Sequence, residues 1–233
     1  MPHVTYGLKN PLAEFTARDI VYTEVGTRSQ AYHNGQLLGT LELQVPGEFN
    51  VNNALAAVAL GITLGLDFAT IARGLAAFHG TGRRFERLGE GRGVTVVDDY
   101  AHHPTEISAV LAAAKRLPYQ RVIALFQPHR FSRTMHFAEE FGNSFGDADV
   151  VIINEIYGAF EKPIEGVSAQ LIVDALKRKN DKPVYYGAEP EDIMAILRRV
   201  TQPGDLVMVL GAGNIRKTGE DFALEISKME VEA

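Results

Sequence analysis

The sequence predicts an α/β protein, with a doubly wound, mainly parallel sheet from about residue 80 onward and a different, hairpin-containing block before it. Three observations carry this. Short runs rich in Val, Ile and Leu alternate with helical patterns through the later part of the chain. The earlier part shows no such alternation. A glycine-rich, basic stretch at residues 79–93 separates the two.

Taken in order, residues 19–25 and 29–33 read as strands, Asn34-Gly35 as a two-residue hairpin turn, and residues 36–45 as the return strand. After Pro46-Gly47 the pattern becomes helical. Residues 50–64, rich in Ala, Leu and Val, are expected to form a helix buried on nearly all sides, and residues 68–78 a second helix. The block thus resembles the tail of a larger domain. The stretch His79-Gly80-Thr81-Gly82-Arg83-Arg84-Phe85-Glu86-Arg87, with Gly89, Gly91 and Gly93 after it, has the composition of a linker. Its arginines suit closure on a phosphate, and solvated side chains explain them equally well. Beyond it, strands are expected at 94–97, 121–126, 150–153, 184–186 and 206–210, and helices at 104–117, 132–145, 168–179, 190–200 and 220–229. Such alternation implies βαβ units and a sheet covered by helices on both faces.

Composition narrows the chemistry. A net charge of −6 leaves no excess of cations to grip a nucleic-acid backbone, so no nucleic acid is expected as a partner. The absence of cysteine excludes disulfides and thiolate nucleophiles and fits a reducing, cytoplasmic location. No apolar run reaches membrane length and Met1-Pro2-His3 begins no secretory pattern, so no membrane is expected either. Local basic clusters then stand out as sites for discrete anions.

Three polar loops fall at the carboxyl ends of expected strands, where open α/β sheets bind ligands. The first, residues 98–107, packs Asp98, Asp99, Tyr100, His102 and His103 ahead of a helix begun by Pro104 and Glu106. A capping role for Asp98 or Asp99 explains one short polar side chain but not Tyr-x-His-His beside it. The adjacent histidines lack the i, i+4 spacing of a helical zinc pair, so no metal site is expected. In the second loop, residues 127–134, His129, Arg130 and Arg133 meet at a helix N-terminus, suited to a carboxylate or phosphate unless the arginines pair with acids elsewhere. The third, Gly211-Ala212-Gly213-Asn214-Ile215-Arg216, approaches a dinucleotide fingerprint but has Arg216 at the third glycine. No G-x-x-x-x-G-K-[ST] phosphate loop occurs.

Five spaced segments together resemble the Mur ligase family: Pro46-Gly47-Glu48-Phe49-Asn50-Val51-Asn52-Asn53-Ala54-Leu55-Ala56-Ala57, then residues 82–86, 98–107, 127–134 and 211–215. The resemblance implies a Rossmann-like carboxyl-terminal domain over residues 80–233 that binds the amino acid, preceded at 1–79 by the remnant of the family's central ATP-binding domain. It implies amide ligation in peptidoglycan synthesis. A muramoyl carboxylate is phosphorylated by ATP with Mg2+, and an amino-acid amine then attacks the acyl phosphate through a tetrahedral intermediate. L-alanine, UDP-N-acetylmuramate and ATP are the small-molecule ligands so implied. Asn50 and Asn53 match the family's adenine-facing motif, with Phe49 before them. Arg84 and Asp99 match groups near the ribose and phosphates, and Tyr100 and His102 those lining the incoming amino acid. His129, Arg130 and Arg133 match the cluster near its carboxylate and the muramoyl end, where cations stabilise developing negative charge.

Two departures accompany the match. Phe49 stands where the family usually has histidine, so its ring can stack on adenine but cannot donate a hydrogen bond. The UDP-sugar domain and the phosphate loop with its lysine and magnesium ligands are absent, which makes the missing amino-terminal part an expected partner and the chain alone inactive. Two rival readings are a non-catalytic module that binds an anionic small molecule through the same arginines, and a metal-dependent hydrolase built on Asp98, Asp99, His102 and His103.

Overall fold

Residues 3–10, 12–23, 26–179 and 181–231 are described by the computed structural model, which divides the chain into two units, one ending at Thr81 and the other beginning at Gly82. In the first unit β1 (Phe15–Tyr22), β2 (Thr27–His33) and β3 (Gln36–Leu43) form an antiparallel meander, followed by α1 (Glu48–Thr63) and α2 (Phe68–Ala76). The Asn34-Gly35 turn joins β2 to β3 as expected. β1 begins at Phe15, earlier than the expected residue 19, because Phe15 and Ala17 alternate inward into the core; residues 24–25 of the expected strand lie outside the described residues. The helix expected to be buried on nearly all sides is instead buried along one stripe, Val51, Ala54, Leu55, Val58 and Ala59. Leu60 is 61% exposed and Leu64 72%, since a three-stranded sheet and one neighbouring helix cover a single side.

The second unit runs β4 (Glu86–Gly91), β5 (Val94–Asp99), α3 (Pro104–Lys115), β6 (Arg121–Phe126), α4 (Phe131–Ser144), β7 (Val150–Asn154), α5 (Gln170–Lys179), β8 (Val184–Gly187), α6 (Pro190–Val200), β9 (Asp205–Leu210) and α7 (Ile215–Val231). Its strand order is β4-β5-β9-β6-β7-β8, parallel except for β4. β5, β6, β7 and β9 are apolar almost throughout because helices cover both faces. Phe126 packs against Phe141 of α4 and Phe145 just past its end on one face. Ile123, Leu125, Val207 and Val209 pack against Ile193, Leu197, Phe222 and Ile226 of α6 and α7 on the other.

β4 corrects the reading of residues 79–93 as a linker. Its glycines mimic a loop, but a Cβ on Gly91 would lie 2.4 Å from the Ile226 carbonyl oxygen, so this glycine lets α7 lie close against the edge strand. Glu86, Arg87 and Glu90 put charge on that edge, which discourages further strand pairing. β9 sits between β5 and β6 yet leads into α7, whereas β5 and β6 lead into α3 and α4 on the opposite face. The crevices at this reversal are bordered by the three loops singled out in the sequence.

Candidate functional site: two arginine clusters at the strand ends

Asp98, 0% exposed at the end of β5, anchors the first cluster. Arg83 reaches it through Nε at 3.0 Å, and Arg216 through a terminal nitrogen at 3.2 Å. Arg83 also donates to the Gly211 carbonyl at 2.6 Å, while Arg216 makes bonds of 2.6 and 2.9 Å to Glu86 and one of 2.7 Å to Glu220. The Arg216 hydrogen bonds, with the Arg83 backbone N–H, hold the Glu86 carboxyl down at about 2. The pairing fixes residues 83–86, where Arg83 and Phe85 adopt φ of 60° and 50°, conformations non-glycine residues rarely take. The expectation that Arg83 is available to a phosphate is corrected, because its guanidinium is committed to this network. Arg216, which spoils the dinucleotide fingerprint, is the network's other cation.

Asp99 is 2% exposed, and its two oxygens accept the Phe85 and Ala101 backbone N–H groups at 2.9 and 2.8 Å. Burial pushes its pKa up. The capping alternative describes what this side chain does here. Arg84 beside it is exposed and makes no hydrogen bond or ion pair among the described residues.

The second cluster lies where the β5–α3 and β6–α4 loops approach. Tyr100 and His102 make an edge contact at 5.3 Å, His102 and His129 lie 5.7 Å apart, and His129 stacks on Tyr157 at 5.8 Å. Arg133 donates to His129 Nδ1 at 3.3 Å, so Nδ1 accepts and the ring proton of the neutral imidazole sits on Nε2. Burial, then Arg133, His102 and Arg130, lower the His129 pKa. His102 has the opposite tautomer, because its Nδ1 lies 2.8 Å from the Tyr100 carbonyl, which can only accept. His103 turns elsewhere: it caps α3 and its ring meets Phe137. Glu106 closes the helix start by accepting the His102 and His103 backbone N–H groups at 2.9 and 3.1 Å.

Arg130 and Arg133 have no carboxylate within ion-pair distance among the described residues. Burial and the charge of Arg130 lower the Arg133 pKa. Arg130 is exposed and caps α4 with φ of 75°, held by its N–H to the Tyr157 carbonyl at 2.8 Å. The expectation that the α4 N-terminus is open to an external anion is corrected. Glu161 accepts the Ser132 N–H at 3.0 Å and its hydroxyl at 2.6 Å, which supplies the negative charge a helix start favours.

Behind these groups lies a polar network that sequence reading missed. Gln127 donates to Asn154 and Asn214 at 2.9 and 2.8 Å and accepts the Ile215 N–H at 3.2 Å; Asn154 donates to the Gly187 and Ala188 carbonyls. Nothing in the local pattern marks Asn154, Tyr157 or Glu161, since their partners come from other loops. The hydrolase alternative fails on the acids: Asp98 is ion-paired to Arg83 and Arg216, and Asp99 is buried with each oxygen on a backbone donor. Among the described residues no three His, Asp or Glu side chains gather as a metal site requires.

In the first unit Phe49, Asn50 and Asn53 share the first turns of α1. The Asn50 amide donates to the Pro46 carbonyl at 2.7 Å and its oxygen faces Asn53 Nδ2 at 3.5 Å. Phe49 is half-buried and Asn53 exposed.

Residues 83–213 match the family model for the Mur ligase glutamate ligase domain. The chain belongs to the Mur ligase family. Residues 1–61 match the Mur ligase middle domain. A UDP-N-acetylmuramate–L-alanine ligase from Pelotomaculum thermopropionicum is 49% identical over 227 residues, covering 97% of this chain and 49% of that protein. The enzyme of the same name from Gloeothece citriformis is 45% identical over 221 residues, 93% of this chain and 44% of that one. The chain therefore spans about half the length of the curated relatives it matches. The crystal structure of a UDP-N-acetylmuramate-alanine ligase from Thermotoga maritima superposes with a TM-score of 0.81 at 28% identity, over 95% of this chain and 47% of that one. Both arginine clusters fall in the Mur ligase carboxyl-terminal fold, with Arg216 just beyond the span matched by the family model.

Proposed function

We propose that this chain is the carboxyl-terminal portion of an ATP-dependent ligase that joins L-alanine to UDP-N-acetylmuramate in peptidoglycan synthesis in the cytoplasm. The observation that carries the reading is the Arg130, Arg133 and His129 cluster, cationic and with no carboxylate within ion-pair distance among the described residues, beside Tyr100 and His102. Arg130 and Arg133 hold the amino-acid carboxylate and stabilise negative charge on the tetrahedral intermediate, assisted by the His129 Nε2–H. His102, with its lone pair on Nε2, takes a proton from the incoming ammonium and so frees the amine that attacks. ATP with Mg2+ would supply the phosphoryl group that turns the muramoyl carboxylate into an acyl phosphate, from which phosphate leaves when the amine adds.

The domain assignment belongs to the same proposal, with residues 1–79 as the remnant of the central ATP-binding domain and residues 80–233 as the amino-acid-binding domain. The middle-domain match supports the first, as do the exposed Leu60, Leu64 and Leu66, which suit burial against further structure. For the nucleotide, the aromatic ring of Phe49 and the amides of Asn50 and Asn53 fit a purine, and the exposed Arg84 fits a phosphate. Asp99 acts on that ligand indirectly, by fixing Phe85 and Ala101. Among the described residues no cluster of His, Asp or Glu is placed to supply the main magnesium ligands.

The test is ligation by this chain combined with an amino-terminal half from one of the relatives. Amide formation dependent on ATP and L-alanine is expected from the mixture, and none from the chain alone, which carries no phosphate-loop sequence. Sustained turnover by the chain alone would contradict the proposal. Substrate binding by the mixture without any amide product would favour the anion-binding module.

A further inference from the structure

A cleft of about 350 Å³ opens at the carboxyl ends of β6 to β9. Its lining includes Gln127, Tyr157 and Asn214, together with the charged Glu155, Glu189, Lys217 and Asp221. None of Tyr100, His102, His129, Arg130 or Arg133 lines it. Tyr157 alone belongs to both places, because its ring also stacks on His129 at 5.8 Å.

That ring is seated rather than loosely placed. The backbone on either side of His129 is tied to Tyr157, whose N–H donates to the Pro128 carbonyl at 2.8 Å and whose carbonyl accepts the Arg130 N–H at 2.8 Å. On the other side the tyrosine lies against Gly213, where a Cβ would come within 2.7 Å of its Cγ and 2.8 Å of its Cβ. Any larger residue at 213 would push the ring out, which gives this glycine a packing role independent of any dinucleotide.

We infer that Tyr157 is a specificity-determining residue: it partitions the amino-acid site from the adjoining polar cleft and so restricts the incoming amino acid to a small side chain. The inference rests on the ligase reading above. Without the ring the site and the cleft become continuous. A side chain several carbons long then enters, and the cleft's lining favours a polar, cationic end: Lys217 pairs with Asp221, which leaves Glu155 and Glu189 as a negative excess beside the hydrogen-bonded amides of Gln127 and Asn214. A steric wall of this kind excludes by repulsion rather than by better contacts to the favoured substrate.

The experiment compares L-alanine with L-ornithine in the assembled ligase, for wild type, Tyr157→Ala and Tyr157→Phe. The kcat/KM ratio of alanine to ornithine is expected to fall by about tenfold or more in Tyr157→Ala, the scale of a size filter of this kind, and to stay at the wild-type value in Tyr157→Phe, which keeps the ring. Calorimetric titration of Tyr157→Ala with L-ornithine should show binding that wild type lacks. An unchanged ratio, or equal losses for both amino acids with no ornithine binding, would overturn the partition. Failure of the wild-type ligase to use L-alanine at all would count against the ligase reading, and the calorimetric difference would still decide the role of Tyr157.

Discussion

Two pairs of arginines sit at the carboxyl edge of the same sheet and behave in opposite ways. Arg83 and Arg216 close on Asp98 and Glu86, so their charge is spent on fixing the strand ends. Among the described residues Arg130 and Arg133 have no acid within ion-pair distance, Glu161 and Glu106 acting on them only from further off, and both arginines depress proton binding at His129. The first arrangement holds a fold; the second keeps a positive field for something to enter. In the sequence both pairs are arginines in a polar loop, and what separates them is only which side chains come to meet them.

The contrast is broken most forcefully at Asp98. Asp98→Ala leaves two guanidiniums without their buried partner and should cost about 3–5 kcal/mol, read as a lower urea midpoint. A loss below ~1 kcal/mol would mean the network is not a structural lock. A smaller effect is expected at Glu161, whose carboxylate caps α4: Glu161→Ala should lower the melting temperature, by less than Asp98→Ala does. No change in thermal unfolding would mean that the α4 start is open after all.

Acid separates the two clusters at different pH. The folded pKa of His129 lies below its ordinary 6.5, so between those values the unfolded chain binds the extra proton and stability falls as pH drops through that window. Glu86 is depressed from 4.5 to about 2, so its contribution is whole above 4.5 and is lost only as pH falls toward 2. An NMR titration should therefore show His129 protonating below 6.5, moving up toward the ordinary value in Arg133→Ala. A His129 titration unmoved by that substitution would break the proposed coupling.

Much of the second unit was legible because its central strands are buried on both faces and read as uninterrupted apolar runs. Residues 121–126 and 190–200 matched their expected bounds for that reason and for the proline that starts α6. β4 was not legible, since Gly89 and Gly91 obey the proximity of α7, which lies far along the chain. Tyr100, His102, His129 and Arg133 do come together, as their loops suggested. The fate of Arg83 was hidden because its contacts with Gly211 and Gly213 span 128 and 130 residues. Glu161 was hidden likewise: its partner Ser132 lies 29 residues away, and no local pattern announces a cap supplied from another loop.

The division of labour between the clusters is tested most directly by Arg133→Ala in the assembled ligase, with kcat/KM for L-alanine and the melting temperature measured on the same preparation. The account predicts a loss on the order of a hundredfold in kcat/KM, as for removal of one preorganised donor to a developing oxyanion, with Tm almost unmoved. Retained activity together with a lowered Tm would contradict it and would make Arg133 a structural residue like Arg83.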